Sequence, residues 1–306
     1  MAHTGSPEKA ILYAFLANFG IAISKGVAAV YTNSGSMAAE AIHSVADTCN
    51  QVLLYIGLRS SKRGADEEHP LGYGKLSYFW SFIVALILFS LGGIYSLVEG
   101  WHKLTEPEPL KEVWVGLLVL GGAILLEAGS LYGAVTEAKK MAGEKPFWQW
   151  LKTTRSAEIV VVLGEDVAAI LGLLMAWCAL LAAWWLDDVR YDAFGSIAIG
   201  VLLIVVAVGL ANRLQGLLVG RSAEPDLRAT IEELIQNHAS VSDINSVVTL
   251  QMGPKVLLAA KVSLDPTLVV SDAAQVLDHI ESAIKSRFQE IEWCFIEIEK
   301  SNLSLP

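Results

Sequence analysis

Between residues 10 and 213 the chain passes through six mostly apolar stretches, 10–31, 36–58, 76–99, 113–137, 157–186 and 191–213. A membrane-spanning helix needs about 20 such residues. In lipid every backbone polar group must be satisfied within the segment, so stretches of this length are expected to be helices. Composition agrees: 54% of residues are apolar and 18% charged, against about 25% charged in ordinary soluble domains. The turn Thr32–Gly35 is too short for anything but an antiparallel hairpin of the first two helices. The stretch 157–186 is long enough to tilt or to project beyond the bilayer.

Lysine and arginine in short loops set orientation. Arg59, Lys62, Arg63 and Lys75 follow the second stretch, and Lys139, Lys140, Lys145, Lys152 and Arg155 follow the fourth. The opposite loops hold Lys103, Lys111 and Arg190, so nine charges against three place both termini in the cytoplasm. Trp148, Trp150, Trp184 and Trp185 are expected at the interfaces. The leading segment MAHTGSPEKA lacks a small-residue cleavage pattern, and a bacterial inner membrane is the expected location.

From about Ser222 the texture changes. Pro225 opens an amphipathic helix, INSVVTLQM and VLLAAKVSL read as strands around Gly253-Pro254, a second helix starts near Ser271, and IEWCFIEIE alternates as a strand. The expectation is an all-α bundle of six transmembrane helices over residues 1–215, followed by a cytoplasmic α+β domain, α-β-β-α-β, over 222–306. The net charge of −10 argues against a nucleic-acid partner. Cys49, Cys178 and Cys294 are too dispersed for a disulfide framework or a thiolate zinc site.

Inside the apolar stretches sits a set of ionisable residues. His43 and Asp47, four residues apart, share one helix face. Asn50 lies on that face three residues beyond Asp47. Ionisable groups at bilayer depth are expensive and mark function by default. Asp47 is eleven residues into its stretch, or roughly 16 Å from the outer face. Asp166 is nine residues from the inner end of its own, which in a ~30 Å core also leaves about 16 Å. Glu165 points about 100° away from Asp166. One imidazole with two or three carboxylates suits Zn²⁺, Mn²⁺, Fe²⁺ or Co²⁺. The bland alternatives are an interhelical tie for His43 and Asp47, and neutralisation by Lys25 or another buried group for Asp166. Glu127 fits either a direct role or the lining of a cytoplasmic vestibule.

The segments EAIHSVADTCNQ (40–51), HPLGYGK (69–75), LGEDVAA (163–169), YDAFGSIAIG (191–200) and GRS (220–222) resemble the cation diffusion facilitator family of divalent-metal/proton antiporters, in particular its zinc transporter 9 branch. The resemblance covers nearly the whole chain and implies a transported divalent metal, zinc foremost with manganese or iron open. It implies no resident cofactor and no enzymatic activity. It assigns two ligands to His43 and Asp47. The family's fifth-helix HxxxD would run from position 162, which is Val162, to Asp166, so Glu165 becomes the candidate for the missing ligand. Some members bind a second metal on the loop after the second helix, and here Asp66 and His69 match while Tyr73 replaces the second histidine. In the tail only His238 and His279 remain among histidines, which implies a homodimer held by packing rather than by metal. Two other classes stay in view. One is a non-transporting metal sensor or scaffold, and the other is an intramembrane metallohydrolase, against which no HExxH is present.

Overall fold

The computed structural model describes residues 7–299, so the leading segment expected to lack a cleavage pattern lies mostly outside the described residues. Six long helices account for the apolar stretches. They are α1 (Pro7–Thr32), α2 (Gly35–Ser61), α3 (Leu76–Thr105), α4 (Val113–Ala142), α6 (Ala157–Leu186) and α7 (Arg190–Val219). Four of them, α3, α4, α6 and α7, are long and apolar enough to cross a membrane by length and composition. α2 dilutes its apolar run with the polar residues that make it interesting. A short helix, α5 (Phe147–Thr153), lies in the loop after α4. There Trp150 is buried, contrary to the interfacial position expected for it, whereas Trp148, Trp184 and Trp185 are exposed.

The described residues form two compact units. The first comprises the chain up to Arg59, Ser77–Phe147 and Ala157–Gln215. Its helices approach closely where side chains are small: a Cβ at Gly116 would stand 2.6 Å from Leu180, and one at Gly93 2.6 Å from Ile204. α3 is not uniform, because Leu88–Ile94 winds as a π-helix through Gly92 and Gly93. Such single-turn insertions recur at functional sites. The α1–α2 turn is tight: Asn33 takes φ +57, a region asparagine tolerates, and its backbone and side-chain oxygens both accept from Lys103 Nζ.

The second unit comprises Ser60–Leu76, Trp148–Ser156 and the chain from Gly216. Here α8 (Pro225–Gln236), β1 (Val241–Met252), β2 (Lys255–Leu264), α9 (Val270–Arg287) and β3 (Ile291–Ile298) follow the expected α-β-β-α-β order. β1 pairs antiparallel with β2, Val247 opposite Ala260, and β2 pairs parallel with β3, Ala260 opposite Ile296. Alternate residues of β2, Val256, Leu258, Ala260 and Val262, are buried against Ile231 and Ile235 of α8 and Ile280 and Ile284 of α9. That is the period-2 against period-3.6 pattern of a sheet with helices on one face. Gly253 opens the β1–β2 turn at φ +71, which glycine adopts at little cost. Gly74 packs so closely on the Met252 carbonyl that neither it nor Gly253 has room for a Cβ. Arg155 ties the α5 segment to the same unit, donating to the Ser222 and Ala223 carbonyls.

Candidate transport site

α2 carries a polar lane. Glu40, His43, Asp47 and Asn50 succeed one another at spacings of three or four residues, which puts them on one face. Glu40, His43 and Asn50 are fully buried, and Asp47 is partly so. Among the described residues, every buried side-chain oxygen or nitrogen without a hydrogen-bond partner, Ser81 Oγ apart, lies on α2. These atoms are Glu40 Oε1, both His43 nitrogens, Asp47 Oδ1, Asn50 Oδ1 and Gln51 Oε1. Buried polar groups are ordinarily paired, so a run of orphans on one helix calls for an explanation. His43 Nδ1 lies 3.6 Å from Asp47 Oδ1, close but not bonded. The π-helical turn of α3 passes beside this ring, a Cβ at Gly92 standing 3.9 Å from His43 Nδ1.

α6 supplies the opposing carboxylates, and the 100° between its neighbours separates their partners. Glu165 is buried and accepts a 2.5 Å hydrogen bond from Asn50 Nδ2. Asp166 turns to α4, where Ser130 Oγ donates to it at 3.4 Å. Asp47 lies within electrostatic reach of both Glu165 and Asp166, and Glu127 on α4 within reach of Asp47 and Asp166. The expected residues are thus gathered into one neighbourhood shared by α2, α4 and α6. Among the described residues no three histidine, cysteine or carboxylate side chains close into a cage for an ion.

Lys25 does not neutralise Asp166, as the bland reading had it. Its Nζ pairs with Glu40 Oε2 at 3.2 Å and donates to Ser44 Oγ at 2.7 Å. Sequence reasoning missed Glu40, although it precedes His43 by three residues on the same face. The loop after α2 is held by hydrogen bonds to Asp66. Asp66 Oδ1 accepts from the His69 amide and Oδ2 from the Tyr73 hydroxyl, each at 2.7 Å. The Tyr73 hydroxyl, then the His69 amide, hold the Asp66 carboxyl below its ordinary range. The His69 ring stacks on Tyr73 at 4.2 Å and Arg63 covers the tyrosine's ring at 4.5 Å. In the tail, His238 is half-buried and His279 exposed, their rings 5.8 Å apart.

Known proteins resemble this chain along most of its length. Residues 11–214 match the cation efflux transmembrane domain, and residues 223–301 match the cation efflux protein cytoplasmic domain. The chain is 34% identical over 86% of its length to the mitochondrial proton-coupled zinc antiporter SLC30A9 of Xenopus laevis, covering 48% of that protein. It is 32% identical over 81% of its length to metal tolerance protein C4 of Arabidopsis thaliana, covering 54% of it. It thus spans about half the length of these relatives. The cation-efflux pump FieF of Serratia proteamaculans is 26% identical over 86% of the chain and is covered to 83%. A multi-pass membrane domain followed by its cytoplasmic partner domain, matched end to end, makes this chain a member of the cation efflux, or cation diffusion facilitator, family.

Proposed function

We propose that the chain exports a divalent metal ion, zinc first, from the cytoplasm in exchange for protons, by alternating access of six transmembrane helices within residues 1–215. Residues 222–306 then form a cytoplasmic domain, both termini face the cytoplasm, and two copies pair through that domain by packing. The observation that carries this reading is the run of buried, unpartnered nitrogen and oxygen atoms on α2 facing carboxylates on α6. A buried lone pair without a donor costs free energy unless something arrives to use it. A divalent cation reaching His43 and Asp47 would be such a partner, with Glu165 and Asp166 completing the charge and Asn50 orienting Glu165. Glu127 would guide the ion along α4.

Ligation needs deprotonated groups, so metal binding and proton release are linked at one site. His43 is the natural carrier, since imidazole exchanges its proton in the physiological range. With one nitrogen among oxygens, the ligand set also admits Mn²⁺ or Fe²⁺. The names of the zinc antiporters and the FieF pump support the reading. The loop charges favour termini on the cytoplasmic side, and a bacterial inner membrane is the location proposed.

The test is metal uptake into proteoliposomes under an imposed pH gradient, with zinc, manganese and iron in competition. Transport should require the gradient and fall at least about 100-fold in His43→Ala and Asp47→Ala, the loss of a charged ligand being worth roughly 3 kcal/mol or more. Undiminished transport in both variants would overturn the site.

A further inference from the structure

The transport reading leaves one buried ion pair of the bundle without a role. Lys25 and Glu40 are 1% and 0% exposed. The ammonium on α1 reaches across to α2, spending one hydrogen on Glu40 Oε2 and one on Ser44 Oγ. Glu40 stands one helical turn from His43, on the metal-facing side of α2. Its other oxygen, Oε1, has no hydrogen-bond partner. That oxygen is turned to α6, where a Cβ on Gly172 would stand only 2.5 Å from it, so the glycine leaves it room. Lys25 is also near enough to act electrostatically on His43, Asp47 and Glu127.

An ion pair is a poor way merely to fasten two helices. Desolvating both charges costs about as much as their attraction returns, and apolar side chains of similar volume usually hold as well. Within a membrane the cost is larger. A carboxylate one helical turn from His43 would, if free, be one more hard oxygen ligand for a divalent ion. A carrier must bind firmly enough to load and weakly enough to release.

We propose that Lys25 is a resident cation that withholds Glu40 from the cargo: it occupies the carboxylate next to the transport site, so that the arriving metal is held by His43, Asp47 and the α6 acids alone and can leave. This rests on the transport site described above, and the experiment separates the two. Zinc affinity and initial transport rate are measured on the full chain in proteoliposomes for wild type, Lys25→Met, Lys25→Met with Glu40→Gln, and Asp47→Ala.

Freeing a carboxylate beside a divalent ion should tighten binding in Lys25→Met at least about ten-fold, by Coulomb attraction at partly buried sites, while maximal rate falls several-fold as release slows. Removing both charges should return affinity to within about three-fold of wild type, because the surplus ligand is gone. Lys25→Gln serves if Lys25→Met does not fold, with the same direction expected, and Lys25→Arg should behave as wild type. Unchanged or weaker binding in Lys25→Met, or a double variant as tight as the single one, overturns the proposal. Asp47→Ala reports on the site itself. Lost binding there with unchanged Lys25→Met sinks the resident cation alone, and retained binding there sinks the site.

Discussion

Asp192, at the start of α7, is the residue whose loss the structure prices most directly. Its side chain is buried and caps the start of α2 from a different helix. Oδ1 accepts from Ser34 Oγ at 2.6 Å, from the Ser36 amide at 3.3 Å and from the Ser36 hydroxyl, while Oδ2 accepts from the Gly35 amide at 2.6 Å. The first amides of a helix have no partner within it, and a carboxylate there also meets the positive end of the helix dipole. Asp192→Asn keeps the volume but loses the charge, exchanging charged hydrogen bonds for neutral ones at a cost of about 1–2 kcal/mol. Asp192→Ala removes the acceptor. The two serine hydroxyls, 3.1 Å apart, can turn to each other, so the Gly35 and Ser36 amides decide the outcome. At roughly 1–3 kcal/mol for each buried unsatisfied group, the cost is about 2–6 kcal/mol.

Thermal unfolding of the purified full chain, followed by tryptophan fluorescence, checks this. A domain of this size moves about 2–4 °C per kcal/mol, so Asp192→Ala should lower Tm by roughly 5–15 °C and Asp192→Asn by roughly half as much or less. A change below about 2 °C for Asp192→Ala, or a larger loss for the asparagine than for the alanine, would refute the cap as the anchor of α2.

Two further outcomes follow from the second unit. Tyr73→His removes the hydroxyl that holds Asp66 Oδ2 and supplies the histidine that some relatives use on this loop, so calorimetric titration with zinc should show an additional site per chain, lost again on His69→Ala. The same substitution should raise the Asp66 carboxyl toward its ordinary value, since the Tyr73 hydroxyl is the main cause of its lowering. The group's folded value lies below the unfolded one, so its contribution to the loop is present above the unfolded value and lost as pH falls through the folded one. Carbon-13 NMR of labelled aspartates reads that shift. Burial pushes the Cys294 thiol up to about 11. It should therefore resist maleimide at pH 8 in the folded chain and react once denatured, as mass spectrometry of the modified peptide would show.

Much of the architecture was legible because membrane helices and amphipathic elements write their periods openly. The apolar runs of α3, α4, α6 and α7 and the alternation in β2 needed only hydropathy and spacing. The site was half legible. His43 and Asp47 announce themselves as charges in an apolar run. Which of Glu165 and Asp166 faces α2 depends on the rotation of α6, which spacing along one helix does not fix. The role of Asp192 was hidden for a related reason. It caps a helix more than 150 residues away in sequence, and local capping rules search only neighbours. Lys25 was noticed only as one candidate to neutralise Asp166, and its pairing with Glu40 was missed, because depth alone cannot say which face of α1 it occupies.

The placement of these residues has a common physical sense. A helix with a buried polar lane is a costly thing to keep, and α2 keeps one from Glu40 to Asn50. Its cost is offset only in part: Lys25 satisfies one oxygen of Glu40, and Asn50 and Glu165 satisfy part of each other, while Glu40 Oε1, Asn50 Oδ1 and Gln51 Oε1 stay unpartnered. The middle, His43 and Asp47, is left without hydrogen bonds beside the π-helical turn of α3. Were the lane only a tie between helices, its buried atoms would be expected to pair with one another, since each orphaned one costs free energy. The reverse is seen. Six buried atoms along α2 are left without a hydrogen-bond partner, as expected if the missing partner is the metal ion proposed above.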